Sequence, residues 1–334
     1  MNLCVISTTS ETRGRTLPSQ TLPSQTVLAA TRRSPLALWQ TRHVASLLVA
    51  TGLVESVDEL LVSTTGDRRT DTPIHAMGGK GVFSKEVQQA VLDGRADIAV
   101  HSAKDLTSST PDGLILAAVP PRGDARDALV GSSLQDLREG ARIATGSVRR
   151  RAQLAWHRPD LVFSELRGNI ATRLHKAEQF DAIVMAMAAI QRLELDIEVV
   201  EPLDPEVMVP QVAQGALAIE CRADDEDTIV ALRAIEDPGA RLVVDAERAF
   251  LAELGGDCTL PAGAFAVLND GSDGDSDGNI ELAGMLASLD GQTLVRRQRR
   301  GSDPDEVGRS VARDLLDDAG GRALLADFRS ANRG

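Results

Sequence analysis

The run TVLAATRRSPLALWQTRHVASLL, residues 26–48, decides the fold. A short apolar stretch with β-branched residues ends in the polar turn RRSP. Pro35 then stands where a helix would open, at a position whose N–H has no intrahelical partner anyway. The same unit recurs along the chain. DIAV (97–100) leads into HSAKDL, RIAT (142–145) into GS and VRRRAQLAW, LVFSEL (161–166) into RGN and IATRLHKA, and AIVMA (182–186) into AAIQRL. Strands alternating with helices predict an α/β architecture with a parallel sheet. In open sheets of this kind, ligands sit beyond the carboxyl ends of the strands. Residues 205–222, PEVMVPQVAQGALAIECR, place two prolines and a glycine around an apolar strand and read as a crossing segment. PPRGD (120–124) is the other candidate hinge.

Beyond about residue 238 the texture changes. A helix with Leu242, Ala246, Ala249, Phe250 and Leu254 on one face is expected to end at Gly255-Gly256. AGAFAVL, a polar loop, IELAGMLAS, a DG turn, LVRRQRR and two helices follow, an order that predicts a small α+β unit with an antiparallel sheet. Between helix and strand lies LGGDCTLPAG (254–263), which puts Cys258 on a loop tip instead of in a core. The chain has three cysteines in 334 residues, too few and too scattered for a disulfide framework. No Cys or His spacing resembles a zinc site, so no metal is expected. A net charge of −13, from 36 Lys and Arg against 49 Asp and Glu, excludes non-specific binding to nucleic acid or anionic membrane. Aromatic residues are 2% of the chain, which leaves little for stacking on bases. The first 26 residues, with a tandem TLPSQ, read as a disordered leader or an over-long start, with a transit peptide as the alternative.

The strand-end turns carry a chemical pattern. They hold Arg32 and Ser34; Lys104 and Asp105; Thr145, Gly146, Ser147, Arg149 and Arg150; Arg167, Gly168 and Asn169 with Arg173 one turn on; and Arg192. Helix N-termini attract anions, and guanidinium forks match carboxylates and phosphates. A single such arginine is an ordinary solvated residue. Five at equivalent places in an acidic chain predict an anion-binding cleft. Asp105 is the exception among them. Either it caps a helix and pairs with Lys104, or it steadies a developing cation and moves protons.

The blocks ATRRSPLALWQ, DTPIHAMGGKGVFSKE, RADIAVHSAKDL, TGSVRRRAQL, LRGNIATRL, VAQGALAIECR and LGGDCTLPAG together resemble the hydroxymethylbilane synthases, also called porphobilinogen deaminases, over about residues 27–334. The resemblance implies two lobes similar to those of type II periplasmic binding proteins plus a small α+β C-terminal domain. Its boundaries would be 27–119 with 216–233, 124–209, and 238–334. It implies a dipyrromethane cofactor joined through a thioether at Cys258, since a thiolate is a strong nucleophile. Four porphobilinogen molecules would each lose ammonia to an electrophilic azafulvene and be added to that primer, and water would release linear hydroxymethylbilane. Asp105 would hold pyrrole N–H groups and cationic intermediates. Lys104, Arg149, Arg150, Arg167 and Arg173 would hold carboxylates, with Thr145, Ser147 and Gly168 beside them. Arg32, Ser34 and Arg192, together with Arg149 and Arg167, would line the substrate side. The implied enzyme is a cytoplasmic monomer of tetrapyrrole biosynthesis. Three departures stand out: Gly146 replaces a usual serine, Ala76 a common lysine, and Ala213 the usual first glycine of GQGA. The runner-up reading is a two-lobed binder of an oligo-anion without catalysis, which a covalent pigment would exclude.

Several weaker signals remain. MGGKGVF (77–83) lacks P-loop spacing and reads as a lid carrying Lys80 and Phe83, or equally as an ordinary loop before a helix. DGDSDGNIE (273–281) mimics half of a calcium loop but lacks its closing glutamate, so a solvated hairpin loop is expected. His101 is expected to be a structural residue at a strand end, and Cys221 a buried thiol.

Overall fold

The computed structural model describes residues 25–68, 81–255, 260–269 and 280–331. The leader with Cys4, the segment with Ala76 and Lys80, Cys258 itself, and the acidic stretch 273–279 lie outside the described residues.

The chain opens with β1 (Gln25–Arg32), α1 (Pro35–Ala50), β2 (Val54–Val62), α2 (Thr65–Arg68), α3 (Lys85–Leu92), β3 (Ile98–Ser102) and β4 (Leu114–Ala118). It continues with β5 (Asp127–Val130), β6 (Arg142–Ala144), α4 (Val148–His157), β7 (Val162–Ser164), α5 (Ile170–Ala177), β8 (Ala182–Ala186), α6 (Met187–Arg192) and β9 (Val200–Pro202). Then come β10 (Leu217–Arg222), α7 (Glu226–Arg233), α8 (Pro238–Glu253), β11 (Ala262–Leu268), β12 (Ile280–Ala287), β13 (Leu294–Gly301), α9 (Pro304–Asp317) and α10 (Gly321–Ala331).

The opening stretch folds as its sequence dictates. Ser34 is the N-cap of α1, its Oγ accepting from the Ala37 N–H at 3.2 Å, and Pro35 follows in the first turn. Ala37, Gln40, Thr41, Val44 and Leu48 recur every three or four residues and form its buried face. AIVMA is buried at every position, as a central strand must be.

Two five-stranded sheets share one topology. The first runs β2-β1-β3-β10-β4 and the second β7-β6-β8-β5-β9. In each, the second strand in that order pairs in parallel with both of its neighbours, and a strand arriving from the other lobe inserts antiparallel. The wholly parallel sheet expected from the alternation is therefore corrected to a mixed one. Residues 217–222, expected within a crossing, are the inserted strand of the first sheet. The fold is α/β, with two lobes each built on a five-stranded mixed sheet and a C-terminal antiparallel sheet β11-β12-β13 backed by helices. Phe250, Leu254, Leu282, Val311 and Leu315 fill the core between that sheet and helices α8 and α9.

The two crossings between lobes are bonded to each other. Gly123 N–H donates to Gly215 O at 3.0 Å, and Arg122 Nε donates to Gln214 O at 2.9 Å. Gly215 has φ +84, and a Cβ there would lie 2.5 Å from Gly123 O, so this approach needs glycine. Glu247 on α8, wholly buried, ties the third unit to this hinge. It accepts from Arg122 Nη1 and Nη2 at 2.8 and 3.0 Å, from Ala213 N at 2.6 Å and from Ala266 N at 2.9 Å.

Ala213 is the departure with a backbone consequence, since its φ is +57. The left-handed region costs an L-residue roughly 1–2 kcal/mol. Against that, glycine adds about 0.4–1 kcal/mol of unfolded-chain entropy, and the buried methyl contributes about 0.8 kcal/mol. These nearly cancel. Ala213→Gly should therefore leave the denaturation free energy within about 1 kcal/mol of the parent, whereas Ala213→Val, β-branched at positive φ, should cost at least about 2 kcal/mol. Urea melts decide it, and a stable Val variant would refute the strain argument.

Candidate active site in the interlobe cleft

The turns bearing Arg32 and Ser34, Lys104 and Asp105, Thr145 to Arg150, and Arg167 to Asn169 lie at the carboxyl ends of parallel strands, whereas Arg192, expected at such an end, is the last residue of α6, six residues past β8. The end of β1 carries Arg32 and Ser34, and β3 runs into a 3-10 turn, Ala103–Asp105, bearing Lys104 and Asp105. The ends of β6 and β7 feed α4 and α5. Ser147 caps α4 by accepting from Arg150 N at 3.4 Å, and Asn169 caps α5 by accepting from Thr172 N at 2.9 Å. Thr145 Oγ1 accepts from Ser147 N at 3.2 Å. At Gly146 a Cβ would lie 2.8 Å from Leu166 O, so the β6 turn packs too closely on the β7 turn for the serine that the resemblance leads one to expect.

The centre of the cluster is a carboxylate that sequence reasoning missed. Asp127, at the start of β5, is wholly buried. Its Oδ1 accepts from Arg150 Nε and Nη2 at 2.9 and 2.7 Å and from Gln214 Nε2 at 2.9 Å, and its Oδ2 accepts from Arg149 Nη1 at 2.7 Å. Burial by itself would raise the Asp127 carboxyl, but the Arg149 and Arg150 charges, with hydrogen bonds from Arg149 and Gln214, hold it far below the usual carboxylate range. Arg150 also donates to Val184 O at 2.9 Å, so all three of its nitrogens have protein partners. Arg149 differs. Its Nη1 is shared between Asp127 and Val209 O, while Nε and Nη2 are buried without a hydrogen-bond partner.

Arg149, Lys104, Ser147, Gln211, Arg248 and Leu260 line a cavity of ≈ 20 Å³, large enough for a water-sized group. Leu260 and Ala262 on its wall lie just after the Cys258 loop. Unpaired buried donors are costly, and an anionic ligand reaching this wall would satisfy them. The donor set therefore fits a carboxylate-bearing cofactor.

Other cations crowd the same space. Lys104 Nζ donates to Gln214 Oε1 at 3.2 Å. Burial, reinforced by the Arg150 charge, lowers the Lys104 ammonium to about 8 against the opposing pull of Asp105 and Asp127. Arg173 donates Nε to Gly168 O at 2.9 Å, and burial, then the Arg150 and Arg167 charges, bring its guanidinium to about 10. Arg149, Arg150, Arg167, Arg173, Lys104 and Asp105 thus feel one another's charge. Arg192 stands apart. Its Nη2 donates to Gly215 O at 2.6 Å, its guanidinium lies 5.5 Å from the Trp39 ring centre, and burial lowers it to about 10. Arg32 is held by Asp67 and lies over Phe83, and its Nη1 is 4.0 Å from Asp105 Oδ2.

The Lys104 shift makes a testable sign. A lysine depressed when folded leaves the unfolded chain holding more protons between about pH 8 and its ordinary 10.5. Stability from this group therefore rises with pH across that window, and the penalty is complete below it. Relative to Lys104→Met, the ligand-free parent should gain stability between pH 7.5 and 9.5 in urea melts. Parallel curves would remove Lys104 from the buried cluster.

His101 takes the structural role expected of it. Its Nε2 lies 3.1 Å from Glu220 Oε2 in the interior, and Gln88 Nε2 donates to the same oxygen at 2.8 Å. Cys221 is wholly buried on β10. Asp127, Gln214 and Asp67 had only faint sequence signals: a carboxylate opening the apolar run DALV, a glutamine inside VAQGA, and an aspartate in the turn TTGD. No helix among the described residues is long and apolar enough to cross a membrane.

Comparison with known proteins bears on this arrangement. Residues 27–230 match the model described as porphobilinogen deaminase, dipyromethane cofactor binding domain, and residues 241–317 match porphobilinogen deaminase, C-terminal domain. The porphobilinogen deaminase of Roseiflexus castenholzii is 46% identical over 305 residues, covering 89% of this chain and 97% of its own. That of Brevibacillus brevis is 42% identical over 306 residues, covering 90% of this chain and 96% of its own. Among solved structures, the methionine binding protein MetQ aligns at TM-score 0.39 and 10% identity, over 65% of this chain and 92% of its own. Agreement with both domain models and with these relatives over most of the chain leaves one conclusion: the chain belongs to the porphobilinogen deaminase family, transferases of tetrapyrrole biosynthesis whose matched domain binds a dipyrromethane cofactor.

Proposed function

We propose that the chain is a hydroxymethylbilane synthase, which joins four porphobilinogen molecules in sequence on a dipyrromethane primer tethered at Cys258 and then releases linear hydroxymethylbilane. The observation that carries this reading is the buried Asp127–Arg149–Arg150 cluster with half-buried Lys104, where two unpartnered nitrogens belong to Arg149, a residue that lines a cavity together with Leu260, two residues after Cys258 in sequence. When bound, the cofactor would supply the nucleophilic pyrrole α-carbon for the first addition, and each ring added would supply it for the next.

The chain's own residues do the rest. Lys104, Arg149, Arg150, Arg167 and Arg173 neutralise carboxylates of the cofactor and of the growing chain, and the turns at Thr145, Ser147 and Gly168 bring backbone and hydroxyl groups to them. Arg32, Ser34 and Arg192, with Arg149 and Arg167, receive the incoming porphobilinogen, and Phe83 borders its entrance. Each addition forms one carbon–carbon bond and expels one ammonia. Positive charge spreads over the pyrrole as ammonia leaves, and the Asp105 carboxylate lies where it opposes that charge. Asp127 keeps the two central guanidiniums fixed, so they need not reorganise as charge moves. Three domains carry out the work, 27–119 with 216–233, 124–209 and 238–334, with the reaction between the first two. The enzyme acts as a cytoplasmic monomer on a small-molecule substrate.

Two variants test the division of labour. Arg150→Leu should yield protein without bound pigment, because it leaves Asp127 and the cofactor carboxylates uncompensated, a loss of roughly 2–5 kcal/mol. Arg32→Leu should keep its pigment by intact mass and stall monomer addition. Normal steady-state turnover in Arg32→Leu would remove that residue from the substrate site. A parent protein with the bare sequence mass would favour a non-catalytic anion binder.

A further inference from the structure

We propose that Asp67 is a positioning residue: it grips the Arg32 guanidinium by one edge and thereby aims the other edge at the Asp105 side of the cleft. This rests on the reading of Arg32 as a substrate-binding residue. The grip is side-on. Arg32 Nε donates toward both Asp67 oxygens at 3.2 Å, and Nη2 donates to Oδ1 at 2.5 Å. Asp67 is itself fixed, because Thr64 donates to its Oδ2 from N at 3.2 Å and from Oγ1 at 2.7 Å. Burial works against this carboxylate, yet its bonds from Arg32 and Thr64 keep it ionised below its ordinary range.

The guanidinium plane is fixed as well. Its central carbon lies 4.3 Å from the centre of the Phe83 ring. That ring rests on bare backbone, since a Cβ on Gly66 would fall 2.0 Å from Phe83 Cε1. Glu86 on α3 then anchors the short α2 segment, accepting from Thr65 N at 2.8 Å, Thr65 Oγ1 at 2.7 Å and Arg68 Nη2 at 2.9 Å.

A guanidinium has five N–H groups in a rigid fork. With the Nε/Nη2 edge committed to Asp67 and one face to Phe83, the Nη1/Nη2 edge is left to receive a second carboxylate. Nη1 is 4.0 Å from Asp105 Oδ2, too long for a hydrogen bond. A porphobilinogen carboxylate on that edge would set its pyrrole beside Asp105. Both side chains are about a quarter exposed, 23% for Arg32 and 27% for Asp67, so the pair matters for aim far more than for stability.

The test is a double-mutant cycle in the full-length holoprotein, with Asp67→Asn, Asp67→Glu, Arg32→Lys and the Asp67→Asn/Arg32→Lys pair. Misaiming a binding group by about 1 Å costs up to about 10²-fold. Asp67→Asn should raise KM for porphobilinogen about tenfold or more with a smaller change in kcat, and pigment content by mass should be unchanged. Asp67→Glu, which keeps a two-oxygen grip, should recover part of the loss. In the Arg32→Lys background, which offers no fork to grip, Asp67→Asn should add little. Full additivity of the two changes, or a lowered melting temperature with KM unchanged, would overturn the proposal. Impaired Arg32→Leu with normal Asp67→Asn would remove only the positioning role. Normal Arg32→Leu would remove the substrate-binding reading and this inference with it.

Discussion

Replacing Cys258 with alanine should yield a folded protein that carries no covalent pigment and forms no hydroxymethylbilane. Among the described residues the fold gives Cys258 no substitute. Cys221 is buried on β10, inside the first sheet, and burial, with the Asp225 charge, pushes its thiol up to about 11, so it is almost entirely un-ionised at neutral pH. A thiol in that state is a poor nucleophile. The loop with Cys258 instead joins the end of α8 to β11, and residues on its β11 side help to line the cavity with Lys104 and Arg149. A pigment anchored there would bridge the C-terminal unit and the cleft, so its loss should also lower the melting temperature. Intact mass and reaction with Ehrlich's reagent read the pigment, and product formation reads the activity. A Cys258→Ala protein still weighing two pyrroles more than its sequence would show that the attachment point lies elsewhere.

Local sequence reached the elements that local rules govern. Ser34 with Pro35, and the cap residues Ser147 and Asn169, announce helices after strands, and those helices form. The direction of β5 and β10 was not legible. DALV and LAIECR are short apolar runs, and their antiparallel insertion follows from which lobe the chain is entering, a long-range property. The site divides in the same way. Arginines at strand ends could be found one at a time, because each sits at the same place in a repeated unit. Their counter-charges could not. Asp127 lies 22 and 23 residues from Arg149 and Arg150 and 87 from Gln214, and Asp67 is 35 from Arg32. Only the folded sheets bring such partners together. Arg192 shows the converse limit: the repeated unit groups it with the strand-end arginines, yet it closes α6, six residues past β8, and its contacts are with Trp39 and the hinge at Gly215.

Asp105→Asn should lower the rate of product formation by about 10²–10³, the usual effect of removing one preorganised charged group from a reacting centre. The geometry weakens the alternative in which this carboxylate merely caps a helix or neutralises Lys104. Ser102, not Asp105, occupies the cap position of the 3-10 turn. Lys104 directs its ammonium to Gln214. Among the described residues the ionic contact of Asp105 is Arg32 Nη1 at 4.0 Å, which leaves its lone pairs available to pyrrole N–H groups. Asparagine would preserve the size and one acceptor oxygen, and would remove the charge that opposes the cation formed as ammonia departs. It would also leave Lys104, Arg32 and Arg173 with less negative charge nearby, so the cleft would become more hostile to that cation. Asp105→Glu keeps the carboxylate on a longer arm and should retain more activity than Asn. Pigment should persist in the Glu variant, since attachment depends on Cys258 and the arginines. The two effects separate cleanly when turnover of porphobilinogen and pigment mass are measured on the same preparations. Near-normal turnover in Asp105→Asn would make this carboxylate structural, and another group would then have to meet the developing charge.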